Sequence, residues 1–516
     1  VQSAAETLAW LVDRADQLAQ RVAVSAPGEL MVLARSLADQ RRQGDDSPEL
    51  LATALATSRE ALQRASALEV TSSVVAEAAA AIMGGIRTIQ DVRDRRAAFV
   101  MTLHWHGLAG VGAHFVSWDE AAAAEARTLF DSAGTLLGCA SGLVTRSMTA
   151  EARRSAYGAT VTFGPYDEMA ADYLRDNLHD SPSDLVQRGL HAAVADGVNN
   201  SMVARALVHI AINVPRPLMA VSASIQVATA NFRRNFDYRV DQKRQAVIFS
   251  GAGIARLKAM VGWNDIPSLT AVERAQRIER LIEEREGIEG ARERDTIAEI
   301  SVLGYLRCYA IFSGFSSNGR TAETLDSLLE NREKDIPELR ELGLERLIDS
   351  QRSSIYSYRQ RVRAEVEPIP LVGSIAKEAV STWVADGKDS LVAGVSDLLA
   401  GHADAQRISR ALDETSSGDM ATRATVLVED AVLRRSNQLT NIEFTAFVRR
   451  VLLVVVDTQW RRHLGRVRFL QRQSSGLYHP DSESTESRNA DVATLFSATE
   501  QAIQRDSIKY LLNAAL

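Results

Sequence analysis

His104 and His106 stand one residue apart beside Trp105, and His114 comes eight positions later. The neighbourhood reads as strand-like, and a His-x-His pair on one strand face is an arrangement that could hold zinc. No cysteine or paired carboxylate accompanies it at ligand spacing, so the expectation is three structural histidines and no bound metal. Ser250-Gly-Ala-Gly-Ile-Ala offers a glycine pair after a strand-like run, but a lone pair of this kind marks a turn sooner than a dinucleotide site. Ser374-Ile-Ala-Lys377 has the spacing of an acylating serine and its lysine, and the same residues serve as a helix start. Nucleotide hydrolysis would need a glycine turn closed by Lys and then Ser or Thr. Backbone N–H groups and the ammonium take the phosphates there, while the hydroxyl holds magnesium. Gly-Lys before Ser or Thr occurs nowhere in the chain.

Whatever these groups do, a sizeable scaffold positions them. The chain has 516 residues, 46% hydrophobic and 24% charged, which suits roughly two to four domains. A formal net charge of −7 removes the broad basic field on which nucleic-acid binding relies. Cys139 and Cys308 are the only cysteines, too few for a disulfide framework and expected as small core residues in a reducing compartment. No apolar run approaches the roughly 20 residues that span a bilayer, and the start lacks a basic-then-apolar leader pattern. A cytoplasmic protein is expected, touching a membrane at most peripherally at its inner face.

Ala4 to Ala81 repeats apolar residues at helical spacing, as in Leu8, Leu11 and Ala15 or Leu50, Leu51, Leu55 and Leu62. Short apolar runs come next at Gly112–Trp118, Leu136–Cys139, Ala159–Phe163 and Ala192–Ala195, separated by helical segments, which indicates an α/β domain with a parallel sheet. Phe236–Phe249 reads as a hairpin around a charged turn. From Val272 the chain is helical and highly charged, Gly319–Leu339 is polar without an apolar stripe and expected as a linker, and nearly everything after Leu342 reads as helix. Near the end, Val456, Trp460, Leu464, Val467 and Leu470 form one stripe and Val492, Leu495, Phe496 and Ile503 another, with a polar stretch at 473–489 between them. Two amphipathic helices joined by a tip make a helical hairpin.

Several passages are similar to the SecA preprotein-translocase motor family. Arg154–Glu168 (RSAYGATVTFGPYDE), Asp172–Asn177 (DYLRDN) and Val186–Leu190 (VQRGL) resemble, in order and at matching spacing, the signature R-x-A-Y-x-A-D-I-T-Y-G-T-N-N-E, D-Y-L-R-D-N and V-Q-R-G-L of its first nucleotide-binding domain. Asp237–Lys243 with Gly253 resembles the start of the preprotein cross-linking domain, and Leu303–Phe312 its later helix. Asp349–Arg359 is similar to the long scaffold helix, and Asp457-Thr-Gln-Trp-Arg-Arg-His-Leu464 to the D-x-x-W-x-x-H-L entry of the two-helix finger. The resemblance runs from about Leu50 to the end of the sequence.

Departures from the family pattern fall on the nucleotide site. The Gly-Gly before the family's G-E-G-K-T loop resembles Gly84-Gly85, but the stretch after it is Arg87–Arg96 (RTIQDVRDRR), several residues shorter and without the glycine turn or the metal-binding hydroxyl. V-D-E-V-D is matched by Ala195-Asp196-Gly197-Val198-Asn199, which keeps a carboxylate and loses the Glu that would orient water. Between about Gly314 and Leu347 there is no room for the second nucleotide-binding lobe. Gly84, Gly85, Arg95, Arg96, Asp196 and Gly197 are thus expected as a vestigial nucleotide site with no cofactor.

The resemblance implies a mainly α chain with one degenerate α/β, RecA-like lobe, a long scaffold helix and a C-terminal helical hairpin. Its expected parts are 1–215, N-terminal helices and the degenerate first nucleotide-binding domain; 216–318, a cross-linking-like domain; 319–341, a linker; and 342–516, the scaffold and wing with the finger at about 456–512. In the family the finger tip carries a Tyr that touches the translocating chain, and Leu477, Tyr478 and His479 fall at that place; with Tyr238 they are the expected polypeptide or partner contacts. The implied function is an ATP-independent accessory or adaptor in protein export. Its expected partners are a preprotein, the motor, the export channel or another assembly, and no nucleic acid. A structural subunit reusing the same scaffold in an unrelated assembly remains the alternative, and weak nucleotide hydrolysis at an atypical site a third.

Overall fold

The computed structural model describes residues 4–66, 69–199, 206–215, 229–241, 246–262, 269–288, 294–329, 342–365, 367–384, 387–400, 405–413, 419–474 and 485–514. The chain divides into two compact units, one of Val1–His179, Ser183–Ala211 and Glu299–Leu339, the other of Asp180–Pro182, Ile212–Ala298 and Arg340–Leu516.

The first unit opens with helices α1 (Ala4–Val22), α2 (Pro27–Arg42), α3 (Pro48–Ser66) and α4 (Ser72–Ile82). In α1 the buried residues are Leu11, Ala15, Leu18 and Val22, one face at helical spacing. The strands then alternate with helices: β1 (Gly85–Thr88), α5 (Val92–Leu108), β2 (Ala113–Ser117), α6 (Glu120–Leu137), β3 (Ser141–Leu143), α7 (Ala150–Tyr157), β4 (Val161–Pro165), α8 (Tyr166–Leu178) and β5 (Ala192–Asp196). They enter a six-stranded sheet in the order β1-β10-β5-β2-β4-β3, where β10 is Ile311–Ser316, and its neighbouring strands pair in parallel. Helix α5 is buried from Ala97 to Leu108 without interruption, as a helix must be when it has protein on every side. That is why the stretch around Trp105 lacks an amphipathic pattern.

Two strands, β6 (His209–Pro215) and β9 (Arg294–Ser301), pair with one another on the way out to and back from the segment 212–298. In that segment β7 (Tyr238–Asp241) and β8 (Ala246–Phe249) make the expected antiparallel hairpin, with Tyr238 opposite Phe249 and Val240 opposite Val247. Ser250 caps the next helix, Gly251–Val261, by accepting from Gly253 N. A Cβ at Gly253 would overlap the Asp237 carbonyl oxygen, so Ser250-Gly-Ala-Gly is a helix entrance pressed against the hairpin. Helix Leu269–Arg285 completes this core with Val272, Ile278 and Ile282.

The remaining chain is helical: Leu342–Ala364, Pro368–Val384, Lys388–Leu398, Ala405–Asp413, Met420–Ser436, Asn441–Ser474 and Thr485–Asn513. The last two run antiparallel, since Gln459 reaches Asp506 and His463 reaches Thr499. Ser374 and Lys377 lie within Pro368–Val384, past its start.

Four expectations need correction. His104 and His106 lie on helix α5, because burial on all sides and not a period of two governs that stretch. Leu136–Cys139 is the end of α6, closed by Gly138 in the left-handed region, and the strand comes just after it. Leu303–Phe312 holds only a short helix, Val302–Leu306, before β10. Residues 319–329, the first part of the expected linker, form the helix Gly319–Leu329, whose Asp326 accepts from Ile86 N at 3.1 Å; its buried Thr321, Ala322, Leu325 and Leu328 fall at helical spacing on one face, a short stripe among polar residues.

Candidate functional site

In a parallel α/β sheet, ligands bind outside the carboxyl ends of the strands, where the order reverses. In this sheet that edge holds Thr88 of β1, Asp196 of β5 and the start of α5. Helix α5 begins one turn after β1, the place where a phosphate loop would deliver unpaired N–H groups to an anion. Here those donors already have a carboxylate: Asp91 accepts from Arg93 N at 2.7 Å and from Asp94 N at 3.1 Å. These two bonds, with Arg93 and Arg95 nearby as the smaller cause, hold the Asp91 carboxyl below its usual range.

Asp196 is equally engaged. Its Oδ1 accepts from Arg95 Nε at 2.5 Å and from Gly197 N at 2.8 Å, and both members of the ion pair are largely shielded, with side chains 11% and 16% exposed. A guanidinium from the first turn of α5 therefore sits on the Asp196 carboxylate. Arg96 turns away to Glu125 on α6. Gly84 and Gly85, both with positive φ, lie at the start of β1, the opposite end of that strand from Asp91. The structure thus brings together Arg95, Asp196 and Gly197 and leaves the two glycines and Arg96 apart.

Behind this edge the SecA-like signature is a buried polar network. Arg153, one residue ahead of the motif, joins Glu168 at 2.8 Å and Asp172 at 2.7 Å and also donates to the carbonyls of Thr145 and Arg146. Tyr157 donates to Asp172 at 3.0 Å and Gln187 to Tyr157 at 3.0 Å. Asp176 accepts from Val186 N and Gln187 N. Burial pushes the Glu168 carboxyl up, but Arg153 and Arg146 outweigh it and hold it below its usual range. These side chains tie α7, α8 and the approach to β5 together, and breaking a buried pair of this type costs about 3–5 kcal/mol.

The model of the SecA DEAD-like domain matches residues 2–326, and that of the SecA Wing and Scaffold domain matches residues 331–515. The chain belongs to the SecA family. It is 28% identical over 237 residues to protein translocase subunit SecA 1 of Thermobifida fusca, which covers 45% of this chain and 24% of that protein. To protein translocase subunit SecA 2 of Mycolicibacterium vanbaalenii it is 26% identical over 363 residues, 61% of this chain and 42% of that protein. To protein translocase subunit SecA of Halothermothrix orenii it is 28% identical over 270 residues, 49% and 30%. The chain thus spans less than half the length of these SecA relatives.

The SecA-like D-x-x-W-x-x-H-L motif builds a three-helix junction in the second unit. Arg359 of helix Leu342–Ala364 donates to Asp457 at 2.5 Å. Trp460 stacks on His463, ring centroids 5.4 Å apart, and His463 Nε2 lies 2.9 Å from Gln351 Oε1. Burial holds the Asp457 carboxyl up, at about 6 against the pull of Arg359, and holds the His463 imidazole down at about 3. Leu477, Tyr478 and His479, the expected finger tip, lie outside the described residues. Tyr238 is buried; its hydroxyl bonds to Glu286, and Arg285 donates to it at 2.8 Å, so its ring packs inside the hairpin core and is not an open contact surface.

The three histidines do not form one site. His104 and His106 are buried, 0% and 1% exposed, and neither ring nitrogen of either is hydrogen-bonded among the described residues, while His114 Nδ1 lies 2.8 Å from the Tyr309 hydroxyl. Among the described residues no group of three or more His, Cys, Asp or Glu side chains is placed to hold a metal, and no helix is long and apolar enough to cross a membrane.

Proposed function

We propose that this SecA family member acts in protein export without turning over ATP, as an accessory or adaptor that binds a preprotein, a SecA-type motor or another export component. The observation that carries the reading is the Asp91–α5 and Arg95–Asp196 pair of contacts: the anion position at a helix N-terminus is taken by the chain's own carboxylate, and the metal position beside Asp196 by its own guanidinium. ATP with magnesium would have to displace both. A ligand stabilises only by binding the native state, by about 2.7 kcal/mol at a hundredfold excess over its Kd. ATP with magnesium is therefore expected to leave the melting temperature unchanged, and a fluorescent ATP analogue to show no saturable binding. A rise of several degrees, or micromolar binding, would overturn the reading.

The polypeptide-handling side rests on the hairpin of helices Asn441–Ser474 and Thr485–Asn513. We assign its tip, Leu477, Tyr478 and His479, to contact with a client or partner. Tyr478→Ala is expected to change stability by no more than about 0.5 kcal/mol while weakening capture of the partner by at least about 1 kcal/mol. Affinity purification from the native host identifies that partner: motor, channel or exported proteins support the adaptor, and a stoichiometric unrelated protein points instead to a scaffold subunit.

A further inference from the structure

At the opposite edge of the same sheet, where β2, β4 and β5 begin, five side chains able to carry positive charge gather. Arg41 and Arg42 end α2, His106 lies in the last turn of α5, and Arg188 and His191 precede β5. The imidazoles of His106 and His191 meet edge-on with centroids 6.4 Å apart. His106 is 1% exposed, and among the described residues neither of its ring nitrogens has a hydrogen-bond partner; His191 Nε2, Arg41 Nε and Arg188 Nε are buried without one as well. The Arg41 guanidinium lies over the Trp105 ring at 4.5 Å and forms an ion pair with the exposed Asp46. The loop Gly110–Gly112 permits this crowding. A Cβ at Gly110 would stand 3.1 Å from Arg42 Nε, one at Gly112 2.9 Å from Arg188 Nη2, and both residues have positive φ.

A buried imidazole left without hydrogen-bond partners is destabilising, a cost that an acceptor placed among these donors would remove. A metal cation is the wrong sign for the place, because Arg41 adds to burial in disfavouring positive charge on both rings. We propose that Arg41, His106 and His191 form a binding site for a small free oxyanion of the phosphate type. The burial of His106 rules out an anionic group carried on a macromolecule. Binding draws protons onto the imidazoles, so affinity rises as pH falls. The groups facing them are Arg41, Arg42, Arg188, and the acids Asp39, Asp45 and Asp46 on α2 and the turn after it.

The test titrates inorganic sulfate, an oxyanion of the same shape whose charge is constant over this range, into the intact protein by calorimetry at pH 6.5 and 8.0, with chloride at matched ionic strength as the reference. One saturable site is expected, at least threefold tighter at pH 6.5. His191→Gln, at a half-buried position, is expected to weaken it at least tenfold with the circular dichroism unchanged, and Arg41→Gln to do the same. Absence of saturable heat would overturn the proposal, as would equal affinity in His191→Gln, since a general salt effect on the folded state does not depend on that ring.

Discussion

Lowering the pH from 7.5 to 5.5 in phosphate-free buffer is expected to remove about 4 kcal/mol from the stability of the first unit. Burial holds His104 down at about 4, and His106 and His114 at about 3. Unfolded, each titrates near 6.5 and takes up a proton that its folded form refuses. The stabilisation is complete above pH 6.5 and is lost as the pH falls toward the folded values, because the unfolded state binds more protons. At pH 5.5 each histidine has given up about 1.4 kcal/mol. Amide hydrogen exchange in α5, corrected for intrinsic rates, reads the change directly. His104→Leu, which replaces an unbonded imidazole by an apolar group, should flatten the dependence by about a third. Protection in α5 that stays constant across this range would show that the histidines are solvated or charged in the native state.

Trp460→Ala is expected to cost about 3–5 kcal/mol, the range for deleting a buried aromatic. Trp460 is 2% exposed and lies against His463, which is itself tied to Gln351 and Thr499 on the two neighbouring helices. The cavity therefore opens where three helices meet. Trp460→Phe should cost less, since it keeps a ring and discards an indole Nε1 that has no hydrogen-bond partner among the described residues. Urea denaturation monitored by helicity separates the two variants, and a midpoint for Trp460→Ala equal to wild type would mean that the stripe Val456–Leu470 carries no core.

The strongest periodic signals in sequence correspond to elements whose burial keeps to one face. The Leu11–Ala15 stripe of α1 and the Trp460–Leu464 stripe of helix Asn441–Ser474 are legible for that reason. Helix α5 is not, because a helix buried all round leaves no period to read, and its histidines look strand-like. Of the candidate site, Asp196 and Arg95 can be named from the motif comparison, yet their mutual contact cannot, since it joins residues 101 positions apart. Asp91 carries a local signal as the capping residue: an Asp directly before Val92 and three positions ahead of Asp94 marks an N-cap, but a motif comparison directed at a glycine turn passes over it. Arg153 gives no such sign, because nothing in the sequence tells which of Arg153 and Arg154 turns inward; burial with Glu168 and Asp172 decides that.

The position of β10 has a bearing on how the chain is made. β1 joins the sheet through β10, and β10 lies between it and β5, yet β5 ends at Asp196 and β10 starts at Ile311. During synthesis at about 5–20 residues per second, roughly 6–23 s separate the two on the ribosome. Throughout that interval β1 lacks its neighbour and β5 presents an open parallel edge, an invitation to wrong pairing. The nascent chain is therefore at its most vulnerable to aggregation while the inserted segment 212–298 is being built, and slowing elongation there would be felt as lost yield of soluble protein rather than as a weaker native state.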